Sequence, residues 1–343
     1  MKNRLIKLLK VLLFLSLGLF LVWFAIRGVT PEQQIQIKDA FRNANYYWVG
    51  LSLILALVSL ISRAMRWNLM LQTLGHDPKL SNTFFAVMIG YMANYAPIPR
   101  LGEASRCGVL TRYEKIPFTE SFGTVIAERL IDVLCLLLVF FITLLVEFEK
   151  INGLAHQYIL DPLLKKFVLI GAHPLLTIIV IASGLTGLYF MIRFTNKQKE
   201  GSGIIQRGLK FLAGFVEGIK TVKHIHKPWQ FLGHTILIWV IYYLTLHVCF
   251  YSLPETSKLG FSEGITIFAF GTLGVVFTPG GIGAFQVIVK NVLLLFAVSE
   301  SVSIAFPWIV WTSSFLLILL VGLLSLVLLP LLNKDMSADA QPI

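Results

Sequence analysis

Asn94-Tyr95-Ala96-Pro97-Ile98-Pro99-Arg100-Leu101-Gly102-Glu103 cuts an apolar run that begins at Asn82, and Thr278-Pro279-Gly280-Gly281-Ile282-Gly283-Ala284-Phe285-Gln286 cuts another that begins at Ile265. Proline removes an N–H donor and glycine frees the backbone, so neither run continues as one helix. The breaks follow Trp48 and Trp229 at nearly the same distance. Backbone broken at membrane depth is tolerated only where it lines a cavity or is packed in protein. Paired interruptions at matching places therefore point to the binding site of a transporter.

The rest of the chain supplies the membrane context. Its 343 residues are 56% hydrophobic and only 14% charged, with a mean hydropathy of +0.78. A soluble domain of this size has no use for so much apolar surface, which leaves an integral membrane protein. Six stretches are long and apolar enough to cross about 30 Å of hydrocarbon: Leu8 to Ile26, Tyr47 to Ala64, Phe122 to Val146, Val168 to Ile192, Phe231 to Leu253 and Phe306 to Leu332.

A net charge of +11 invites a nucleic-acid reading, but the distribution of the charge opposes it. With the amino terminus in the cytoplasm, about 20 of the 29 Lys and Arg lie on that side, among them Arg63, Arg66 and Lys79 after the second span. Acidic residues divide evenly, so the pattern is the positive-inside bias and no nucleic-acid partner is expected. The same bias places Arg100, Arg106, Arg112 and Lys115 in the cytoplasm. It therefore makes 82–117 a re-entrant hairpin entering from that side and, by parity, 264–298 a hairpin entering from the other.

The expected fold is an all-α polytopic membrane protein forming a single membrane domain over 1–343, with both termini cytoplasmic. It has six full transmembrane helices plus two re-entrant helical hairpins in an inverted repeat, with halves at 46–146 and 229–332. The basic, apolar amino terminus has no cleavage site before Arg27 and reads as an uncleaved span. An amphipathic stretch at 200–227 reads as a helix lying on the cytoplasmic surface. Cys107, Cys135 and Cys249 form no disulfide framework, and His224-Ile225-His226 lacks partners for zinc, so no metal or cofactor is expected.

Chemistry concentrates at three places. A helix starting near Arg100 carries Arg100, Glu103 and Arg106 along one side, and its amino terminus together with a planar guanidinium suits a phosphate. The plainer reading has Arg100 snorkelling to headgroups while Glu103 pairs with Arg106. Glu128, Arg129 and Asp132 near the start of the third uninterrupted span are ionisable groups in the membrane, which default to function. As structure alone they are a staple tying that span to Arg100 or Arg106. In the second break Pro279 ends a half-helix, Gly280 and Gly281 permit the reversal, and a new helix begins near Gly283 with its dipole aimed at a cavity. Packing by small residues is the alternative there.

With these three motifs the chain resembles the lysylphosphatidylglycerol synthase transmembrane-domain family, also called flippase-like domain proteins, over roughly residues 8 to 330. The resemblance implies a protein of the cytoplasmic membrane whose relatives move aminoacylated phospholipids between leaflets or accompany polyprenyl-linked glycan assembly. It carries substrate-binding roles onto Asn94, Pro97, Arg100, Gly102, Glu103, Arg106, Glu128, Arg129, Asp132, Pro279, Gly280, Gly281 and Gly283. Where the family often has an acid, this chain has Gln286, which offers neutral hydrogen bonds only. No aminoacyl-transferase domain precedes Ile343, so a separate lipid-synthesising enzyme is the expected partner and translocation, with no catalytic residue, the expected activity. The substrate is then a membrane phospholipid or polyprenyl lipid, met through its phosphate by Arg100 and through any cationic atoms by Glu103, Glu128 and Asp132. A membrane-embedded glycosyltransferase or accessory acting on polyprenyl-phosphate sugars is the alternative.

Overall fold

The computed structural model describes residues 30–96, 100–147 and 225–333. The expected spans Leu8 to Ile26 and Val168 to Ile192 lie outside them, as does the stretch 200–227 apart from residues 225–227, which are not helical. Among the described residues the only regular elements are helices: α1 (Pro31–Asn43), α2 (Tyr46–Thr73), α3 (Leu80–Ala93), α4 (Leu101–Glu114), α5 (Phe118–Val146), α6 (Pro228–Phe250), α7 (Phe261–Phe277), α8 (Ala284–Leu295) and α9 (Glu300–Leu332). All belong to one compact unit, Met1–Phe140 with Thr221–Ile343, except the end of α5, which enters a second unit at Phe141.

Length separates the helices into two kinds. Four of them, α2, α5, α6 and α9, have 23 to 33 residues and are apolar enough to cross a membrane. The 14 residues of α3 and of α4 reach only about 21 Å at 1.5 Å per residue, short of the hydrocarbon thickness. α7 and α8, with 17 and 12 residues, fall short in the same way.

The short helices pack as antiparallel pairs. In the first, Asn82 Nδ2 at the start of α3 donates to Glu114 Oε1 at the end of α4 (2.6 Å), while Gly90 lies against Gly102 nearer the turn. A Cβ on Gly102 would stand 2.3 Å from the Gly90 carbonyl oxygen and 2.1 Å from Asn94 Oδ1, so only glycine lets the two backbones approach so closely. In the second pair, Gly274 lies against Phe285 and Gly271 against Val289. Extended backbone at Thr278 leads into Gly280, Gly281 and Gly283, all at positive φ as expected for that break.

Each pair sits in its own apolar core. The first gathers Leu60, Trp67 and Met70 of α2, Val87 of α3, Leu110 of α4 and Val125 of α5. The second gathers Phe250 of α6, Ile267 of α7, Val289 of α8 and Phe306 and Ile309 of α9. The long helices then cross between the two sets. α2 runs antiparallel to α6, with Trp48 against Tyr251 at one end and Ser62 Oγ 2.8 Å from His234 Nδ1 toward the other. α9 runs antiparallel to α3, from Tyr95 against Phe315 to the reciprocal hydrogen bonds of Asn82 and Asn333 (2.8 and 3.0 Å). α5 in turn meets α7 through Phe140 and Phe270, edge to face at 5.5 Å.

The segment after the first apolar run contributes α1, a helix not foreseen in the sequence. Pro31 occupies its first turn, where the missing N–H costs nothing. The carboxyl of Glu32 in the same turn is held below its ordinary range by its own backbone N–H and by the Thr30 hydroxyl. α1 is mostly exposed, and it rests on the second core through Ala40 and Phe41.

Candidate functional site

Helical spacing brings the charges together. Arg63 and Arg66 are one turn apart on α2, and Glu128 and Asp132 are one turn apart on α5, so each helix offers both groups from one face. Glu128 is fully buried and receives three guanidiniums: Arg63 Nε at 3.1 Å and Arg66 Nη2 at 3.0 Å on Oε1, and Arg106 Nη2 of α4 at 2.6 Å on Oε2. Asp132 takes Arg66 Nη2 at 2.8 Å on Oδ1 and Arg63 Nη2 on Oδ2.

Neutral groups complete the frame. Arg63 Nη1 donates to the hydroxyls of Tyr91 on α3 (2.6 Å) and Tyr242 on α6 (3.2 Å), and Arg66 Nη1 reaches Thr235 Oγ1 of α6 (3.5 Å). The Arg106 guanidinium lies over the Trp67 ring at 4.5 Å, and Trp67 Nε1 donates to Thr124 Oγ1 at 2.8 Å. One network thus ties α2, α4 and α5 to α3 and α6. A buried carboxylate so enclosed contributes little net stability compared with apolar packing, yet losing one partner leaves a bare buried charge.

The expected staple between the third span and Arg106 is present, and only the pairing of Glu103 differs. Arg106 holds α5 to the first hairpin through Glu128, while Glu103 turns to Arg129 instead of Arg106, with Nε to Oε1 at 3.7 Å. Arg63 and Arg66, counted at the cytoplasmic end of the second span, are in fact the inner half of the network and at most 2% exposed. Counting charges toward the cytoplasm hid them. The signal that exposes them is a buried polar stripe of Ser52, Ser59, Ser62, Arg63 and Arg66 recurring at helical spacing along α2.

The remaining candidates divide between the hairpin turns. Arg100 caps α4 from the left-handed region, φ 61, and is exposed. Asn94 ends α3 with its side chain against Gly102, and Pro97 lies outside the described residues. At the second break Gln286 Oε1 accepts from the Gly283 N–H (2.8 Å) and so caps α8, while its buried Nε2 has no hydrogen-bond partner among the described residues. Pro279 opens the turn that carries Gly280 and Gly281.

The two turns touch. The Tyr95 ring lies on Gly280 so closely that a Cβ there would stand 2.1 Å from Tyr95 Cδ1, and Trp311 Nε1 of α9 donates to the Gly280 carbonyl at 2.8 Å. Tyr95 is held in turn by Phe315 at 4.8 Å and Trp311 at 6.3 Å. Counted from Pro97 and Pro279, Arg106 and Glu128 of the first half correspond to Ile288 and Val310 of the second. Val310 belongs to the apolar core, so the ion network has no counterpart there.

The family described as "Lysylphosphatidylglycerol synthase TM region" matches residues 7–329 of this chain. A UPF0104 membrane protein of Methanothermobacter thermautotrophicus is 25% identical over 292 residues, covering 79% of this chain and 82% of that relative. A UPF0104 membrane protein of Methanocaldococcus jannaschii is 31% identical over 113 residues, so the match covers 32% of this chain and spans 33% of that relative's length. No solved structure matches.

Proposed function

This chain belongs to the lysylphosphatidylglycerol synthase TM region family of multi-pass membrane proteins, and we propose that it moves a phospholipid or polyprenyl-linked lipid between the leaflets of the cytoplasmic membrane. The observation that carries the reading is a charged network behind two antiparallel helix pairs, each too short to cross, whose turns meet at Tyr95 and Gly280. Charges within a membrane domain are costly, and broken backbone there needs a cavity or protein around it, so the pair marks a site of passage.

In this reading 46–146 and 229–332 are the halves of an inverted repeat, and the hairpins at 82–117 and 264–298 enter from opposite faces. The antiparallel pairing of α2 with α6 supports it, as does the reciprocal placing of α9 on α3 and α5 on α7. The lipid phosphate sits beside the turns, near the starts of α4 and α8, whose helix dipoles favour negative charge. Rocking of the halves exposes that place to each leaflet in turn, both termini staying cytoplasmic.

Arg100 provides the test, because a non-glycine residue at φ 61 is held there at a cost of about 1 kcal/mol. Arg100→Gly is expected to raise thermal stability by up to about 1 kcal/mol while slowing transfer of a fluorescent phospholipid in proteoliposomes at least tenfold. Arg100→Ala should slow it equally without the gain in stability. Wild-type rates in both would remove Arg100 from the pathway, and absence of transfer by the unaltered protein would end the translocase reading.

A further inference from the structure

We infer that Arg129 is the ligand arm of the network and that it grips a phosphate group on a lipid of net negative charge, the other three arginines forming a fixed frame. This rests on the reading of the chain as a lipid translocase and narrows its substrate class. Arg63, Arg66 and Arg106 are at most 3% exposed and approach their carboxylates within 3.1 Å. Arg129 is 38% exposed and loosely held, with Nε 3.7 Å from Glu103 and Nη1 3.5 Å from Asp132. Beyond about 3.5 Å an N–H to oxygen contact is no hydrogen bond, and Arg129 Nε has no acceptor among the described residues.

Charge points the same way. The network joins four guanidiniums, Arg63, Arg66, Arg106 and Arg129, to three carboxylates, Glu103, Glu128 and Asp132, leaving a surplus of one positive charge. Donors are in surplus too, because Arg66 Nε and Arg106 Nε lack acceptors among the described residues. An unneutralised guanidinium in a membrane domain needs an anion, and its planar fork matches two phosphate oxygens. A cationic headgroup finds little opening, since both oxygens of Glu128 and both of Asp132 already bind guanidiniums. The expectation that these two acids meet cationic headgroup atoms therefore gives way to a framework role.

Position places the arm at the edge of the buried face of α5, on the side of the second hairpin. Arg129 shares a face of α5 with Phe140, about three turns further on, and Phe140 packs against Phe270 of α7. Its other neighbour, Glu103, stands in the first turn of α4, one turn from Arg100. Arg129 thus lies between the start of α4 and the face of α5 that turns toward the second hairpin. A phosphate reaching it would replace Glu103 as its partner and meet the amino terminus of α4.

The test is binding by the full chain in neutral detergent, read as displacement of a fluorescent phosphatidylglycerol. Competitors are unlabelled phosphatidylglycerol, phosphatidylcholine, an aminoacylated phosphatidylglycerol and glycerol phosphate. Phosphatidylglycerol is expected to bind at least tenfold more tightly than the zwitterionic or cationic lipid, and glycerol phosphate to displace weakly. Arg129→Gln should lose at least tenfold in affinity while unfolding within a few degrees of the unaltered protein. Arg129→Lys, which keeps the charge and loses the fork, should fall between them. Unchanged affinity in Arg129→Gln, no preference among the lipids, or displacement by glycerol phosphate as strong as by lipid would each overturn the inference. Selective, Arg129-dependent binding in a protein that transfers no lipid would support the arm and end the translocase reading. Undiminished transfer by Arg129→Gln would do the reverse.

Discussion

Glu128→Gln is expected to cost about 3–5 kcal/mol of stability and to abolish lipid transfer. The substitution keeps size and shape and removes one negative charge from beneath guanidiniums at 2.6, 3.0 and 3.1 Å. Glutamine also turns an acceptor into a donor, so one of the three arginines faces a like group in a site that water does not reach. Asp132 alone then balances Arg63 and Arg66, and the charge pair that joins α4 to α5 at Arg106 is lost. The comparison is Glu120→Gln, whose exposed pairing with His76 at 2.7 Å should be worth less than about 1 kcal/mol. Thermal unfolding of both variants in one detergent decides the matter. Equal midpoints for the two would mean that Glu128 is not the keystone of the network.

Gly280→Ala is expected to slow transfer at least tenfold, and Tyr95→Ala in the same chain to recover most of that loss. The methyl group would meet Tyr95 at 2.1 Å from Cδ1 and 2.4 Å from Cε1, well inside contact distance. The ring cannot step aside easily, because Phe315 and Trp311 pack against it and Trp311 also holds the Gly280 carbonyl. A residue at φ 60 bears a further strain of about 1 kcal/mol. Removing the Tyr95 ring abolishes the collision and leaves the strain, so recovery should be large and incomplete. A double variant as slow as Gly280→Ala would show that contact between the turns is irrelevant and backbone strain alone is at fault.

Local chemistry made much of this architecture legible. Proline and glycine announce a broken helix wherever they fall, so both turns were visible, and Gly280, Gly281 and Gly283 take the positive φ expected of them. The link from the first hairpin to the third span was also visible through Glu128 and Arg106, because spacing puts them on helix faces able to meet. Arg63 and Arg66 were hidden because an arginine near the end of an apolar run has two outcomes, snorkelling to water or pairing inside. Only the partner, on another helix, chooses between them. Tyr95 on Gly280 was out of reach for the same reason: the contact joins turns that are distant in sequence, and neither residue advertises it. α1 was missed because a short polar stretch between apolar runs reads as a loop until a neighbouring helix, here α9, gives its few apolar residues a place to rest.

Passage between the leaflets at these turns requires both breaks to turn back within the bilayer. Labelling single cysteines in sealed, oriented vesicles tests that directly, with Cys107, Cys135 and Cys249 replaced and probes placed at Lys79, Lys115, Gly260 and Ser299, which flank the two helix pairs. The prediction is that Lys79→Cys and Lys115→Cys react from the cytoplasmic side and Gly260→Cys and Ser299→Cys from the opposite side. Labelling of Lys79→Cys and Lys115→Cys from different sides, or of Gly260→Cys and Ser299→Cys from different sides, would contradict it.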